Sequence, residues 1–196
     1  MAILVMGLAI FFGVHSARMA AENWRREQLA RLGESAWKLG FSLLSAAGLA
    51  LIIWGYGLAR HALLVLWHPP MGMRHVAGLL TLLAFVFLAC AYVPRNQVKA
   101  RVHHPMVLGV AIWAAAHLLA NGTLADVLLF GSFFLWSVAS FLAARRRDLV
   151  AGTIHAAGTV RRTLMAVLGG AFAWAVFAIW LHGVLIGVQP FAAFPL

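Results

Sequence analysis

Histidine is the residue type in this chain whose placement points most directly to chemistry. The sequence has nine histidines among 196 residues, and 64% of the chain is hydrophobic. Three of the nine, His15, His117 and His182, lie inside long apolar segments. An imidazole in the bilayer interior needs a polar partner, and ionisable residues there mark functional sites by default. These three histidines are therefore the candidate ligands of a metal ion or a haem.

Acidic residues are too scarce to support the other common membrane chemistries. Asp126 is the main carboxylate within the apolar segments. Proton-coupled transporters usually carry acidic residues inside their helices, and a Ser–His–Asp hydrolase also needs one. Two neutral imidazoles from different helices can instead hold the iron of a b-type haem as axial ligands. The residues expected to line an apolar slot for the porphyrin are Phe12, Gly13, Gly109, Trp113 and Trp136.

The elements that must position these residues are membrane helices. Hydrophobic segments fall at about 2–20, 39–59, 76–93, 105–121, 123–144 and 164–188. Each is close to the roughly 20 residues that a helix needs to cross a bilayer. Only 10% of the residues are charged, well below the level of about 25% in soluble domains. We therefore expect an all-α, polytopic membrane bundle of about six helices, forming one domain over residues 1–196.

The basic residues predict the orientation of this bundle. Thirteen of the 15 Lys and Arg residues lie in or beside the first, third and fifth loops, whereas Arg60 and Arg74 lie in the second. By the positive-inside rule, the odd loops are cytoplasmic and both termini lie outside. We expect the basic residues behind the net charge of +10 to interact with anionic lipid headgroups, and we expect no nucleic-acid partner. The first loop, Glu22 to Lys38, is either an amphipathic interfacial helix or a solvated connector.

Five of the remaining histidines and the single cysteine are predicted to have ordinary roles. His61, His68 and His75 fall in the second, outer loop, where a metal site is an alternative. His104 marks the start of the fourth helix, and His103 and His155 fall in cytoplasmic connectors. Cys90 lies in an apolar run and is expected to be a small buried side chain without a disulfide partner.

Three stretches of the sequence resemble the NnrU family of bacterial membrane proteins. They are Phe11-Phe12-Gly13-Val14-His15-Ser16-Ala17-Arg18, then His104-Pro105-Met106-Val107-Leu108-Gly109 with Trp113 and His117-Leu118-Leu119-Ala120-Asn121-Gly122, and finally Trp180-Leu181-His182-Gly183-Val184. The resemblance covers essentially the whole chain. It implies a multi-pass protein of the bacterial inner (cytoplasmic) membrane that is associated with denitrification and nitric oxide reduction.

The NnrU family is itself similar to plant zeta-carotene isomerase, a membrane enzyme with haem b that isomerises a polyene double bond. This resemblance implies that His15 and His117 are the axial haem ligands. His104 and His182 are secondary candidates. The isomerase has a cysteine three residues before its second axial histidine, where this chain has Ala114. That departure leaves open whether an apolar substrate is isomerised or the haem serves redox or sensing chemistry. His117 with His182 is the alternative pair, because the depth of His15 along its helix differs from that of His117.

Two further functions stay open on the sequence. Arg101, His104-Pro105 and Gly109 resemble a region of membrane methyltransferases that helps bind S-adenosylmethionine. Those enzymes also carry a glutamate pair after the last pair of helices, and this chain has no glutamate after Glu34. The other possibility is a non-catalytic accessory of nitric oxide reductase or of another redox membrane protein.

Overall fold

The computed structural model describes residues 1–62 and 64–191, and these residues form helices joined by short connectors. The α-helices are α1 (Ala2–Ala20), α2 (Glu22–Ala59), α3 (Met73–Tyr92), α4 (Gln97–Val102), α5 (Pro105–Ala120), α6 (Leu124–Asp126), α7 (Ser132–Ala151), α8 (Val160–Val176) and α9 (His182–Ile186). A π-helical turn, Val127–Gly131, joins α6 to α7, and a second, Phe177–Leu181, joins α8 to α9. The predicted all-α class is confirmed.

Five helical stretches are long and apolar enough to cross a membrane. They are Ala2–Ala20, Glu22–Ala59, Met73–Tyr92, Leu124–Ala151 and Val160–Ile186. The fourth predicted span is the shorter apolar helix Pro105–Ala120, of 16 residues. Large apolar side chains on these helices are exposed, including Leu79, Leu135 and Leu168 at 70%, 69% and 67%. Such surfaces are suited to lipid rather than water, so the chain is a multi-pass membrane protein in contact with the bilayer.

The predicted first loop is helical and continuous with the second span. α2 runs from Glu22 to Ala59, and its one interruption is Gly33, whose φ of 79° and ψ of 163° are not helical. Glycine adopts this backbone conformation without a steric penalty, whereas side-chain-bearing residues rarely do. Trp24 and Trp37 meet edge to face across the break, with ring centroids 5.8 Å apart. The stretch from Glu22 to Lys38 is therefore helical, with a bend at Gly33, and its placement at the membrane interface stays a prediction.

Contacts divide the chain into two units, of which the first comprises Met1–Trp67 and Thr123–Ser132. Its centre is the packing of α1 against α2, where glycines allow the two backbones to approach closely. A Cβ placed on Gly7 would lie 2.6 Å from the backbone nitrogen of Ile52, and one on Gly48 would lie 2.9 Å from that of Phe11. Small residues at such contacts are typical of membrane helix pairs.

The second unit comprises His68–Gly122 and the chain from Phe133 onwards. Here α3 packs against both α5 and α8. A Cβ on Gly109 would lie 3.0 Å from the Ala84 carbonyl oxygen, and one on Gly170 would lie 2.7 Å from the Val86 Cα. Cys90 is fully buried in this packing, as predicted. The structure also places His75 in the first turn of α3 rather than in the preceding loop.

A buried asparagine organises the connectors at one end of the second unit. The Asn96 amide donates to the carbonyl oxygens of Cys90 at 2.8 Å and Val93 at 2.6 Å, and its Oδ1 accepts from the Lys99 backbone at 2.7 Å. The Thr159 backbone N–H donates to the Arg95 carbonyl at 2.9 Å, at the start of α8. These bonds satisfy polar groups that are costly to bury unpaired, and they tie the 152–159 connector to the segment before α4.

Candidate functional site

His15 lies in α1, near its C-terminal end, and is held by its own helix. Its Nδ1 lies 2.7 Å from the carbonyl oxygen of Phe11, four residues earlier. The ring stacks on that of Phe11, with centroids 4.1 Å apart, and lies 5.0 Å from the ring of Phe41. The first unit therefore places this imidazole among aromatic side chains, partly buried.

His117 lies near the C-terminal end of α5 and repeats this arrangement. Its Nδ1 lies 2.8 Å from the carbonyl oxygen of Trp113, again four residues earlier. The two rings have centroids 5.0 Å apart, and Phe133 meets Trp113 edge to face at 5.6 Å. Asn121 donates to the carbonyl oxygen of His117 at 2.8 Å. The second unit thus also sets its intramembrane imidazole in an aromatic environment.

The shared hydrogen bond determines which nitrogen of each ring can act as a ligand. A carbonyl oxygen only accepts, so Nδ1 of His15 and of His117 must carry the proton. In the neutral ring the lone pair is then on Nε2. Metal-ligating histidines commonly donate their other N–H to a backbone carbonyl in this way. The donor chemistry of both residues therefore fits an axial haem ligand.

His182 has a related but less regular contact. It follows the π-helical turn Phe177–Leu181 and begins α9. Its Nδ1 lies 2.7 Å from the carbonyl oxygen of Val188, which lies beyond the helix. The Phe177 ring meets it edge to face at 5.9 Å. This ring is held by the chain that follows α9 rather than by its own helix.

Asp126, the predicted intramembrane carboxylate, has a full set of hydrogen-bond donors in the first unit. Its Oδ2 accepts from the backbone N–H and the hydroxyl of Thr123, at 2.9 and 2.6 Å. Tyr56 donates its hydroxyl to Oδ1 at 2.7 Å. The Thr123 bonds form a capping box at the start of α6, which is a stabilising local motif. Asp126 therefore fastens α6 to α2.

A second group of histidines surrounds Asp148 in the last turns of α7. Its Oδ2 accepts from Nε2 of His104 at 2.8 Å and from Nε2 of His155 at 2.9 Å. His103 stacks on His155, with ring centroids 3.7 Å apart and an angle of 14° between the planes. The Asp148 cluster is defined here as His103, His104, Arg145, Asp148 and His155.

His103 has the most unusual environment in the Asp148 cluster. It terminates α4 with a φ of 65°, a conformation that non-glycine residues rarely adopt. The Arg145 guanidinium donates to its Nδ1 at 3.0 Å. Partial burial, followed by the nearby His155 and Arg145, lowers the pKa of His103 below its ordinary value. His103 is therefore favoured as a neutral ring whose Nδ1 carries a lone pair.

His103 and His155 lie in connectors, as predicted, but the sequence did not predict that they share one cluster. The structure brings them together with His104, whose ring nitrogen is committed to Asp148. Sequence reasoning missed this cluster because its members come from three separate segments. One signal was available: Asp148 is one of only five acidic residues in the chain and follows three arginines. In an acid-poor chain each carboxylate is a candidate partner for histidine.

The residues that resemble the methyltransferase region have local roles in this structure. His104 donates to Asp148, and Pro105 occupies the first turn of α5. Gly109 permits close packing on α3, where a Cβ would also lie 3.2 Å from that of Phe87. These contacts give His104, Pro105 and Gly109 structural roles in the second unit.

The apolar helices and the intramembrane histidines define a multi-pass α-helical membrane protein. The family model of the NnrU protein matches residues 3–190, nearly the whole chain. The chain therefore belongs to the NnrU family, and the resemblance noted from its motifs is confirmed. No curated protein and no solved structure gave a significant match.

Proposed function

We propose that this NnrU-family protein binds haem b, with His15 and His117 as the axial ligands. The observation that supports this is the common geometry of the two rings. Each donates Nδ1–H to the carbonyl oxygen four residues earlier, at 2.7 and 2.8 Å. Both helices thus orient an imidazole whose Nε2 is the ligating atom. Aromatic residues beside each ring provide the apolar surroundings that a porphyrin requires.

Haem with two histidine ligands supplies one-electron chemistry or ligand-exchange sensing, since no coordination position stays open for direct gas binding. We therefore favour a redox or sensing role at the bacterial cytoplasmic membrane, in support of nitric oxide reduction. Isomerisation of an apolar substrate is less favoured, because Ala114 stands where the isomerase has its redox-active cysteine. The partner expected for a redox role is nitric oxide reductase or another redox membrane protein.

The test is an absorption spectrum of the protein purified in detergent from cells supplied with ample haem. We expect a Soret band and, on reduction, the sharp α and β bands of a six-coordinate b-type haem. His15→Ala and His117→Ala should each reduce the haem-to-protein ratio or convert the iron to a five-coordinate form. His61→Ala is the matched control, since His61 is exposed in the short helical turn Arg60–Ala62.

The variants also decide between the two possible ligand pairs. Loss of the six-coordinate spectrum in His182→Ala, with His15→Ala unchanged, would establish His117 and His182 instead. A folded protein that remains colourless after growth with ample haem would overturn the haem proposal as a whole. Size-exclusion chromatography and circular dichroism should accompany each spectrum, so that an unfolded variant is not mistaken for a ligand variant.

A further inference from the structure

The Asp148 cluster combines donor types that bind metal ions of the zinc class. His103, Asp148 and His155 each offer one ligand atom, and the three atoms lie within 4.8 Å of one another. Zinc sites use imidazole nitrogens and carboxylate oxygens, and three protein ligands leave a fourth position for water. We propose that these three residues bind a divalent zinc-class ion, at the predicted cytoplasmic side of the membrane, and that His104 positions the carboxylate.

The separations of the two histidine nitrogens from the Asp148 oxygen are close to those that a tetrahedral ion requires. Two ligands at about 2.1 Å from zinc lie about 3.4 Å apart. Nε2 of His155 lies 2.9 Å from Oδ2 of Asp148, and Nδ1 of His103 lies 3.9 Å from the same oxygen. Movements of about half an ångström bring both distances to the required value. The side chains are 25%, 19% and 22% exposed for His103, Asp148 and His155, so an ion can reach them.

His104 acts on the metal through Asp148. Its Nε2 donates to Oδ2 at 2.8 Å, and its ring meets Phe141 edge to face with centroids 6.4 Å apart. Hydrogen bonds of this kind orient a ligating carboxylate, and their removal typically weakens metal binding by about 10- to 100-fold. His104 is therefore a positioning residue of the site.

Binding requires three local changes. The first is at His155, whose Nε2 donates to Asp148 in this structure; that proton must move to Nδ1, through exchange with solvent, before Nε2 can bind the ion. The second is a ring rotation in the stacked pair that includes His103. The His103 ring is nearly parallel to that of His155, at an angle of 14°. Imidazole lone pairs lie in the ring plane, so one of the stacked rings must rotate before both nitrogens point at one ion. The His155 side chain is 22% exposed, and its ring can rotate about its own side-chain bonds without movement of the connector backbone.

The third change is the release of Arg145. Its guanidinium donates to Nδ1 of His103 at 3.0 Å, which is the atom that the ion needs. A cation at this position also repels a divalent ion. Arg145 thus competes with the ion for Nδ1 of His103. Removing this arginine should therefore strengthen metal binding.

The experiment measures Zn²⁺ binding to the full-length protein in detergent, after chelator treatment and purification through a tag without histidine. Isothermal titration should give one Zn²⁺ per chain. Asp148→Asn and His155→Ala should weaken binding by more than about tenfold. His68→Ala, a histidine outside the cluster, should leave it unchanged. Zinc-edge X-ray absorption should show nitrogen and oxygen ligands including two imidazoles, and no sulfur from Cys90.

Two further variants distinguish a metal site from a merely structural cluster. Arg145→Leu should tighten Zn²⁺ binding by about tenfold, since a competing charge is removed. His104→Ala should weaken it, and His104→Gln should restore part of the affinity because the glutamine amide can donate to Asp148. A structural hydrogen-bond cluster without metal affinity would show neither effect.

The outcomes that overturn the proposal are specific. They are no Zn²⁺ binding, binding that Asp148→Asn and His155→Ala leave unchanged, or an Arg145→Leu affinity no higher than that of the parent protein. The last applies even if the ligand variants fail to fold, because Arg145→Leu retains all three ligands. The haem spectrum reports a different set of histidines, so failure of this proposal is separable from failure of the haem proposal.

Discussion

The two groups of histidines in this protein are held in place by different kinds of contact. His15 and His117 each bond to the carbonyl oxygen four residues earlier in the same helix. His104 and His155 bond instead to Asp148, which lies 44 residues after the first and 7 before the second. The hydrogen bond of each intramembrane ring is formed within its own helix. The Asp148 cluster exists only because three segments are folded together.

This difference determines how each group responds to change. The hydrogen bond within the helix holds the Nδ1–H of each intramembrane ring as long as that helix forms. A ring bonded to Asp148 loses that hydrogen bond when its own segment moves relative to α7. We therefore expect substitutions at tertiary contacts to disturb the Asp148 cluster strongly and the intramembrane histidines weakly.

The largest expected effect is that of Gly158→Ala. A Cβ at this position would overlap the backbone of Asn96 and Gln97, and backbone atoms have little freedom to move aside. We expect a loss of about 3 kcal/mol in the free energy of unfolding, as for severe overpacking. The displaced 152–159 connector should also carry His155 away from Asp148. Thermal unfolding in detergent measures the first effect, and Zn²⁺ titration the second.

Gly169→Ala is the matched control for this substitution. No neighbouring atom lies within 4 Å of a Cβ at Gly169, and alanine is favoured over glycine inside a helix. This variant should be at least as stable as the parent protein. If Gly158→Ala were equally stable, the packing of the connector against Asn96 would be contradicted.

A smaller effect is expected at the helix pair that carries His15. A Cβ on Gly48 would lie 2.9 Å from the backbone nitrogen of Phe11, the residue whose carbonyl accepts from His15. Gly48→Ala should cost about 2 kcal/mol by forcing α1 and α2 apart. The His15 hydrogen bond lies within α1, so the six-coordinate haem spectrum should persist in the folded fraction.

Gly40→Ala provides the comparison on the same helix, since no atom lies within 4 Å of a Cβ there. It should be neutral or slightly stabilising. A loss of the haem spectrum in Gly48→Ala, with the helix pair still folded, would show that His15 depends on tertiary packing after all.

Asp126 tests an intermediate case, because its partners are both local and distant. Asp126→Asn should cost about 1 kcal/mol by weakening the bonds from Thr123 and Tyr56, measured by thermal unfolding. Tyr56→Phe removes only the distant donor and should cost less. In a double-mutant cycle the two changes should be coupled. Simple additivity would mean that the 2.7 Å contact between Tyr56 and Asp126 contributes nothing to stability.

The smallest effect is expected at a local, solvated contact. Glu34 and Lys38 form an ion pair of 2.6 Å one helical turn apart, with side chains 73% and 70% exposed. Exposed pairs of this kind contribute little because water and salt screen them. Glu34→Gln should leave the unfolding temperature unchanged, both at low and at high salt. A clear salt-dependent destabilisation would contradict this ranking of local and tertiary contacts.

Much of the fold was predictable because membrane helices can be recognised from the length and hydropathy of their segments. All six predicted segments are helical, and α2, α7 and α8 extend beyond their predicted apolar limits. The bend at Gly33 was not predicted, since a lone glycine in a polar helix does not distinguish a kink from a tolerated residue. His15 and His117 could be chosen as candidate ligands because they lie in apolar segments of the sequence. The cluster that contains His103 and His155 could not be predicted in this way.

The sequence by itself determined the membrane class, the helical segments, the family motifs and the intramembrane histidines, because hydrophobic length and i, i+4 neighbours are properties of the chain. The structure then showed that Nδ1 of His15 and of His117 bonds to the helix backbone. Only the tertiary structure decided that His103, His104 and His155 meet at Asp148. It also decided that Arg145 donates a hydrogen bond to His103. Their contacts span up to 44 residues, and no local periodicity encodes which connectors will be packed side by side.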